Sequence, residues 1–530
     1  MQHRRKPASA AAPAAAKPPP SRRPTAPLSL AGLVVAVFLV ATFLYNEDVA
    51  AKTPAASTAD VDAAAGGSVA GGRARSPDLR VLHEAVNHQQ QEEDVIKPKQ
   101  QQQQQPPPLP AAEAEAEAEA DAADADAEAK QPPPPPPQLV ALPAGCDLYQ
   151  GRWTYDAAGE RSPLYHESEC EFLTEQVTCV RNGRRDDSYQ KWRWQPNGCD
   201  LPRFDASLLL ERLRNKRLMF VGDSLNRNQW ESMVCLVQSV VPRGQKTLLK
   251  FVNNGSLNVF TAHEYNATVE FYWAPFLVQS NSDDPQVHSV MDRVIAWRAI
   301  AKHANNWKGV DYLVFNTYIW WLNTFEMKVL KGNGALRNNK KGAAAAWSKY
   351  ALVDRPVAYR EVLKTWAKWV DRHIDPNRTT VFFMGMSPNH ITPWAWGNDG
   401  GIKCAMETQP IVNRTEALNI GTDWRLHGVA RGVLARHLHR VPVHFVDITG
   451  LSELRKDAHT SVHTLRQGKL LTPEQQADPK TYADCIHWCL PGLPDTWNHF
   501  IYAHIVSSNP HPLRSDDHHP SSSSSSLASR

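Results

Sequence analysis

This chain of 530 residues has almost no net charge: 58 Lys and Arg stand against 55 Asp and Glu, a balance of +3 at pH 7. Nucleic-acid binding needs clustered positive charge to displace phosphate counterions, so no nucleic-acid partner is expected and a neutral polymer fits better. Cysteine is missing from the first 145 residues, and an apolar run long enough to cross a bilayer occurs once. Apolar periodicity is missing from Asn46 to about Pro143, where the runs Gln100 to Gln105 and Pro132 to Pro137 flank an alternating acidic tract, Ala111 to Ala129. Such composition cannot bury a core.

The apolar run, Leu28 to Tyr45, is eighteen residues without a charge, enough to span about 27 to 30 Å of hydrocarbon in helical form. Arg4, Arg5, Lys6, Lys17, Arg22 and Arg23 precede it while Glu47 and Asp48 follow, so the positive-inside rule predicts a single-pass type II signal anchor with the remainder lumenal. A cleaved signal peptide is the rival, but its apolar core is normally shorter, and no small-x-small site follows at once. The expected plan is a cytosolic tail over 1–27, the anchor over 28–45 and a disordered low-complexity stem over 46–142. A Cys-rich module over 143–200, a main domain over 201–512 and a disordered tail over 513–530 complete it.

Eight cysteines, Cys146, Cys170, Cys179, Cys199, Cys235, Cys404, Cys485 and Cys489, lie beyond the anchor. Their even number fits four disulfides in an oxidising lumen, with about a hundred pairings open. Glycosylation sequons at Asn254, Asn266, Asn377 and Asn413 point to the same compartment. Asp484, Cys485, His487 and Cys489 also read as a metal-ligand cluster, but disulfides are the better use of cysteines there, so no metal is expected.

Two motifs about 260 residues apart carry the chemistry: Gly222-Asp223-Ser224 and Asp484-Cys485-Ile486-His487. Leu218 to Val221 reads as a buried strand ending at Gly222, and Leu225, Trp230, Met233, Val234 and Val237 then recur at helical spacing. Ser224 therefore stands where a strand hands over to a helix, and the N–H groups and macrodipole there stabilise an oxyanion. Serine alone is a weak nucleophile. It needs a base such as His487, held in the right tautomer by a carboxylate, for which Asp484 is the nearest candidate. The plainer alternatives are a helix-capping serine and a chance Asp/His pair.

Tyr312 to Phe315, Val381 to Met384 and Val443 to Val446 also read as buried strands, separated by helical stretches such as Tyr359 to Val370. That alternation predicts an α/β fold with helices on both faces of the sheet. Cys146 to Cys199 lacks this pattern and reads as a disulfide-tied N-terminal module.

Longer stretches now bear on identity: Cys146-Asp147-Leu148-Tyr149-Gln150-Gly151, Trp192-Arg193-Trp194-Gln195-Pro196, Val221 to Arg227, and Asp484-Cys485-Ile486-His487-Trp488-Cys489-Leu490-Pro491-Gly492. Across the folded region the chain resembles the plant trichome-birefringence-like polysaccharide O-acetyltransferases, most of all their xylan acetyltransferase branch. The resemblance implies an SGNH (GDSL-like) esterase-type sheet flanked by helices, a Golgi location, and Ser224, His487 and Asp484 as a catalytic triad. It implies oxyanion donors at Gly255 and Asn316, for which a loop glycine and a turn-stabilising Asn are the plainer readings. It also suggests pairing Cys146 with Cys199, Cys170 with Cys235, Cys179 with Cys489 and Cys404 with Cys485.

The expected reaction is transfer of acetyl through Ser224 to a xylan hydroxyl, with no bound cofactor and with acetyl-CoA or an acetylated intermediate as donor. Trp320 and Trp321 are candidate sugar platforms, and Trp394 and Trp396 lie in a separate loop; core packing is the alternative for each. Arg227 and Arg193 read as salt-bridged surface groups outside the catalytic set. An acetyl esterase, with water replacing the sugar, and a noncatalytic wall-polysaccharide binding protein are the rival functions.

Overall fold

The computed structural model describes residues 142, 145–253, 255–288, 290, 292–331, 347, 349–412, 419–466 and 468–507. The cytosolic tail, the anchor at 28–45, the stem up to 141, the tail at 513–530 and the sequons at Asn254 and Asn413 lie outside these residues. Among the described residues no helix is long and apolar enough to cross a membrane. The sequon residues Asn266 and Asn377 are exposed.

The first described strands, β1 (Gly151–Tyr155) and β2 (Trp192–Pro196), form an antiparallel pair. Trp153 meets Trp194 edge-on across it, with ring centroids 5.4 Å apart. Helix α1 (Ala206–Arg212) leads to β3 (Arg217–Gly222), which hands over to α2 (Ser224–Gln238). Next come β4 (Lys246–Val252), β5 (Leu257–Ala262), β6 (Ala267–Trp273), β7 (Tyr312–Phe315), α3 (Arg355–His373) and β8 (Thr380–Met384). The chain continues through α4 (Trp424–His437), β9 (Val443–Val446), β10 (His459–Ser461), β11 (Asp484–Trp488) and α5 (Leu493–Ser507).

Seven strands make the main sheet in the order β9-β8-β7-β3-β6-β5-β4. From β9 to β6 all neighbours run parallel, and β5 and β4 extend the edge antiparallel. Parallel strands are buried on both faces and so read as continuous apolar runs; Leu218, Met219, Phe220 and Val221 of β3 are fully buried. Successive side chains of a strand point to opposite faces. Phe383 on β8 meets Trp366 of α3 at 5.1 Å, while its neighbour Phe382 meets His504 of α5 at 5.8 Å. Helices therefore cover both faces, the α/β architecture expected from sequence.

Four disulfides are present: Cys146–Cys199, Cys170–Cys235, Cys179–Cys489 and Cys404–Cys485. The first closes the N-terminal segment on itself. The second and third join that segment to α2 and to the residue after β11.

The ends of β3 and β7 approach closely because Gly222 has no side chain. A Cβ there would stand 2.6 Å from the Asn316 carbonyl oxygen and 3.0 Å from the Asn226 side chain. Overpacking of this kind costs about 1 to 3 kcal/mol. Gly222→Ala is therefore expected to lower stability by that amount, read as a shift of the urea midpoint at unchanged slope.

Candidate active site

Ser224 is the first residue of α2, and it is Asp223 that caps the helix, its carboxylate accepting from Leu225 N at 3.0 Å. The capping alternative for Ser224 is thus taken by its neighbour. Its Oγ instead lies 2.8 Å from His487 Nε2, and His487 Nδ1 lies 2.8 Å from Asp484 Oδ2. The other carboxylate oxygen accepts from the backbone N–H groups of Ile486 at 2.9 Å and His487 at 3.0 Å. Residues three apart on a flat strand face opposite ways. Capture of both N–H groups by Asp484 curls β11 locally and brings carboxylate and imidazole together. Burial pushes the Asp484 carboxyl up, but the His487 ring and these backbone N–H groups outweigh it and hold it well below the usual carboxylate range. It is thereby kept ionised opposite the ring it orients.

Ser224 and His487 come from elements distant in sequence, and Asn228 ties those elements together. One turn beyond Ser224, its Oδ1 accepts from Trp488 N at 2.9 Å and its Nδ2 donates to Trp488 O at 3.2 Å. Both backbone groups of the residue after His487 are thus satisfied by one buried amide. Behind His487, His459 Nδ1 lies 3.0 Å from the His487 carbonyl, and the His459 ring stacks on Trp488 with centroids 3.7 Å apart. His390 Nδ1 in turn lies 2.7 Å from His459 Nε2. Neither Asn228 nor this histidine pair was singled out from sequence, and Asn228 sits among the polar residues Asn226, Arg227 and Gln229, which hide it.

The half-buried Ser224 opens onto a cavity of about 320 Å3, also lined by Arg227, Lys250, Gly255, Arg293 and Trp320. Gly255 has φ +87° and donates its own N–H to the Phe251 carbonyl at 3.2 Å. Asn316 is buried just beyond β7 beside Gly222; among the described residues its Oδ1 has no hydrogen-bond partner, and it is not among the described residues lining the cavity. Of the two adjacent tryptophans, Trp321 belongs to the core, with its Nε1 donating to Thr317 Oγ1 at 2.8 Å and its ring against Phe276 and Tyr359. Full burial removes it from consideration as a sugar platform. Trp320 does reach the cavity, but the guanidinium of Arg293 lies 4.0 Å over its ring. Trp394 and Trp396 are not among the lining residues.

Arg227, read as a salt-bridged surface group, is partly exposed and does pair with Glu231. It lines the cavity, donating to Gln176 Oε1 at 2.5 Å and standing 3.8 Å from Glu231. Phe172, Thr174 and Gln176 of the N-terminal segment form part of the same wall.

A parallel-cored sheet that presents a serine at a strand-to-helix turn to a His–Asp pair is the layout of an SGNH-type acyl esterase. Residues 201–504 match the family model described as a GDSL/SGNH-like acyl-esterase family found in Pmr5 and Cas1p, and residues 144–200 match the PMR5 N-terminal domain. The chain belongs to this family. It is 81% identical over 366 residues to xylan O-acetyltransferase 7 of Oryza sativa subsp. japonica, covering 68% of this chain and 60% of that protein. It is 76% identical over 370 residues to xylan O-acetyltransferase 6 of the same species, covering 70% of this chain and 64% of that protein. With protein trichome birefringence-like 3 of Arabidopsis thaliana it shares 46% identity over 363 residues, 68% of this chain and 80% of that protein. The chain thus spans less than two thirds of the length of the two rice proteins.

Two outcomes follow from this geometry. Asn228→Ala leaves the N–H and C=O of Trp488 unpaired in a buried place, so it should cost about 2 to 4 kcal/mol and slow any reaction of Ser224 more than the stability loss explains. Urea titration alongside acylation kinetics of the folded fraction checks this. Burial raises the Asp223 carboxyl from 3.8 to about 6, against the backbone N–H groups of Tyr318, Leu225 and Asn226. A folded pKa above the unfolded one favours folding below pH 3.8, and that contribution is lost as pH rises through about 6, a change of about 3 kcal/mol. Asp223→Asn keeps a good helix cap and should flatten stability between pH 4 and 7, measured as urea midpoints across that range.

Proposed function

We propose that this protein is a xylan O-acetyltransferase that carries acetyl on Ser224. The observation that carries the reading is the unbroken series Asp484, His487, Ser224, with both contacts at 2.8 Å and the hydroxyl open to a cavity. The names of the rice relatives supply the acceptor.

In the first half-reaction Ser224 Oγ attacks the acetyl carbonyl of the donor while its proton passes to His487 Nε2. The tetrahedral oxyanion collapses, and the leaving group departs with that proton. In the second, a xylosyl hydroxyl gives its proton to His487 and attacks the acetyl-serine; collapse then frees the acetylated sugar and returns the proton to Ser224. Asp484 holds the imidazole tautomer and offsets its transient charge. The start of α2 and the Asn316 side chain are the proposed oxyanion donors; Gly255 would join them only by releasing the Phe251 carbonyl. Phe251, 58% exposed among the cavity residues, is better placed than Trp320 to stack on a sugar ring. The donor is acetyl-CoA or an acetylated intermediate. The proposed setting is the Golgi membrane with a single type II anchor at 28–45, a reading supported by four disulfides that need an oxidising lumen.

The test is a labelled acetyl donor followed by peptide mass spectrometry. The Ser224 peptide should gain one acetyl group and lose it when deacetylated xylan oligomers are added. Ser224→Ala should gain none, and His487→Ala and Asp484→Asn should transfer about 10,000-fold more slowly. Full transfer by Ser224→Ala would overturn the assignment, and acetate release without acetyl gain on xylan would make the protein an esterase.

A further inference from the structure

Helix α3 carries basic residues along one ridge. Arg360, Lys364, Lys368 and Arg372 recur every fourth residue, clear of the buried Val362, Trp366 and Val370 that face the sheet. At 1.5 Å per residue they form a row of about 18 Å with a step of about 6 Å. Arg360, Lys368 and Arg372 are exposed and have no ion-pair partner among the described residues, while Lys364 pairs with Glu361 at 2.8 Å. Where α4 ends, His437 and His439 join Lys364, Lys368 and Arg372 around a hollow of about 300 Å3. Asp371 is the one carboxylate among the described residues lining it. Its Oδ1 is taken up by the backbone N–H groups of His439, Arg440 and Val441 at 3.1, 2.6 and 3.1 Å.

The opposite charge is gathered in the tract Ala111 to Ala129, which holds eight carboxylates and no base. Its first four, Glu113, Glu115, Glu117 and Glu119, alternate with alanine. Extended backbone puts alternate residues on one side at a repeat of about 6.7 Å. Four glutamates so spaced drift from the basic row by about 2 Å over its whole length, which long Lys and Arg side chains absorb. Residues 130–141 join the tract to the described chain, and these twelve residues, six of them proline, span about 37 Å at about 3.1 Å each. The described chain enters beside β9: Tyr149 Oη lies 3.0 Å from His504 Nε2, and the His504 ring lies 4.9 Å from that of His444 on β9. β9 borders β8, against which α3 packs, so the ridge is within that span. Exposed ion pairs contribute little singly, but a tether holds the two charged rows at an effective concentration on the order of millimolar.

We propose that the acidic tract Ala111 to Ala129 docks along the α3 ridge of its own chain, with the alternating glutamates against Arg360, Lys364, Lys368 and Arg372. The C-terminal ends of α3 and α4 lead into the starts of β8 and β9, whereas Ser224 follows the end of the parallel strand β3. The docked stem therefore lies toward the edge of the sheet opposite Ser224 and leaves the cavity uncovered. Docking is independent of the reaction assigned to Ser224.

A carbodiimide, which joins a carboxylate directly to a lysine amine, tests this in the full chain. Peptides bearing the tract should be linked to Lys364 and Lys368 and not to Lys308 or Lys480, which are exposed elsewhere. The links should fade between about 0.01 M and 1 M salt, as the screening length shrinks from about 30 to 3 Å. Arg360→Glu with Arg372→Glu keeps both lysines and should cut the links about tenfold. Adding Glu113→Lys with Glu119→Lys should restore them, which separates lost charge from lost fold. Links that spread equally to Lys308 and Lys480, or that ignore salt and the ridge substitutions, overturn the proposal. Links between isotopically labelled and unlabelled chains as frequent as those within one kind assign the ridge to a second copy and overturn it. Capture of an added uronate-bearing xylo-oligosaccharide at Lys364 and Lys368, with no tract links, assigns the ridge to an acidic polysaccharide and overturns it too.

Discussion

Everything at this site depends on the two hydrogen bonds between the Asn228 amide and the backbone of Trp488. They join the helix that begins with Ser224 to the strand that ends just after His487, so a contact between residues 263 apart in sequence is held at 2.8 Å. A neutral amide suits this role because one side chain supplies both a donor and an acceptor and leaves no buried charge to compensate. The His459 ring, stacked on Trp488 and placed against the His487 carbonyl, supports the same segment from behind.

The N-terminal segment belongs to the site as much as to the scaffold. Thr174 and Gln176 satisfy Glu231 and Arg227 on the first turns of α2, and Phe172 stands in the cavity wall. The bond from Cys170 to Cys235, the latter on α2 itself, keeps that wall against the helix bearing Ser224. A cavity assembled this way has one side set by the main sheet and another by a segment that precedes it in the chain.

Four of the five parallel strands were legible because burial on both faces leaves unbroken apolar runs: β3, β7, β8 and β9 were read to within a residue of their observed ends. The strands β4, β5 and β6 were not anticipated. The outer one, β4, is largely exposed, with Leu249 at 56%, so it has no apolar run to read. The serine and the Asp–His spacing stood out because strand-to-helix turns and short carboxylate–imidazole spacings leave local marks. Asn228, His459 and His390 left none, since their partners are distant in sequence. Adjacent tryptophans in a tight turn were indistinguishable until packing separated Trp321 in the core from Trp320 at the cavity. The resemblance, and not cysteine spacing, supplied the disulfide pairing.

Cys179 pairs with Cys489, a residue 310 positions later. At about 5 to 20 residues per second of synthesis, the Cys179 thiol waits roughly 15 to 60 s on the ribosome for its partner to be made. Cys170 is only nine residues upstream and Cys199 twenty downstream, both available far sooner. The order of translation thus presents Cys179 to nearer cysteines well before its native partner has been made.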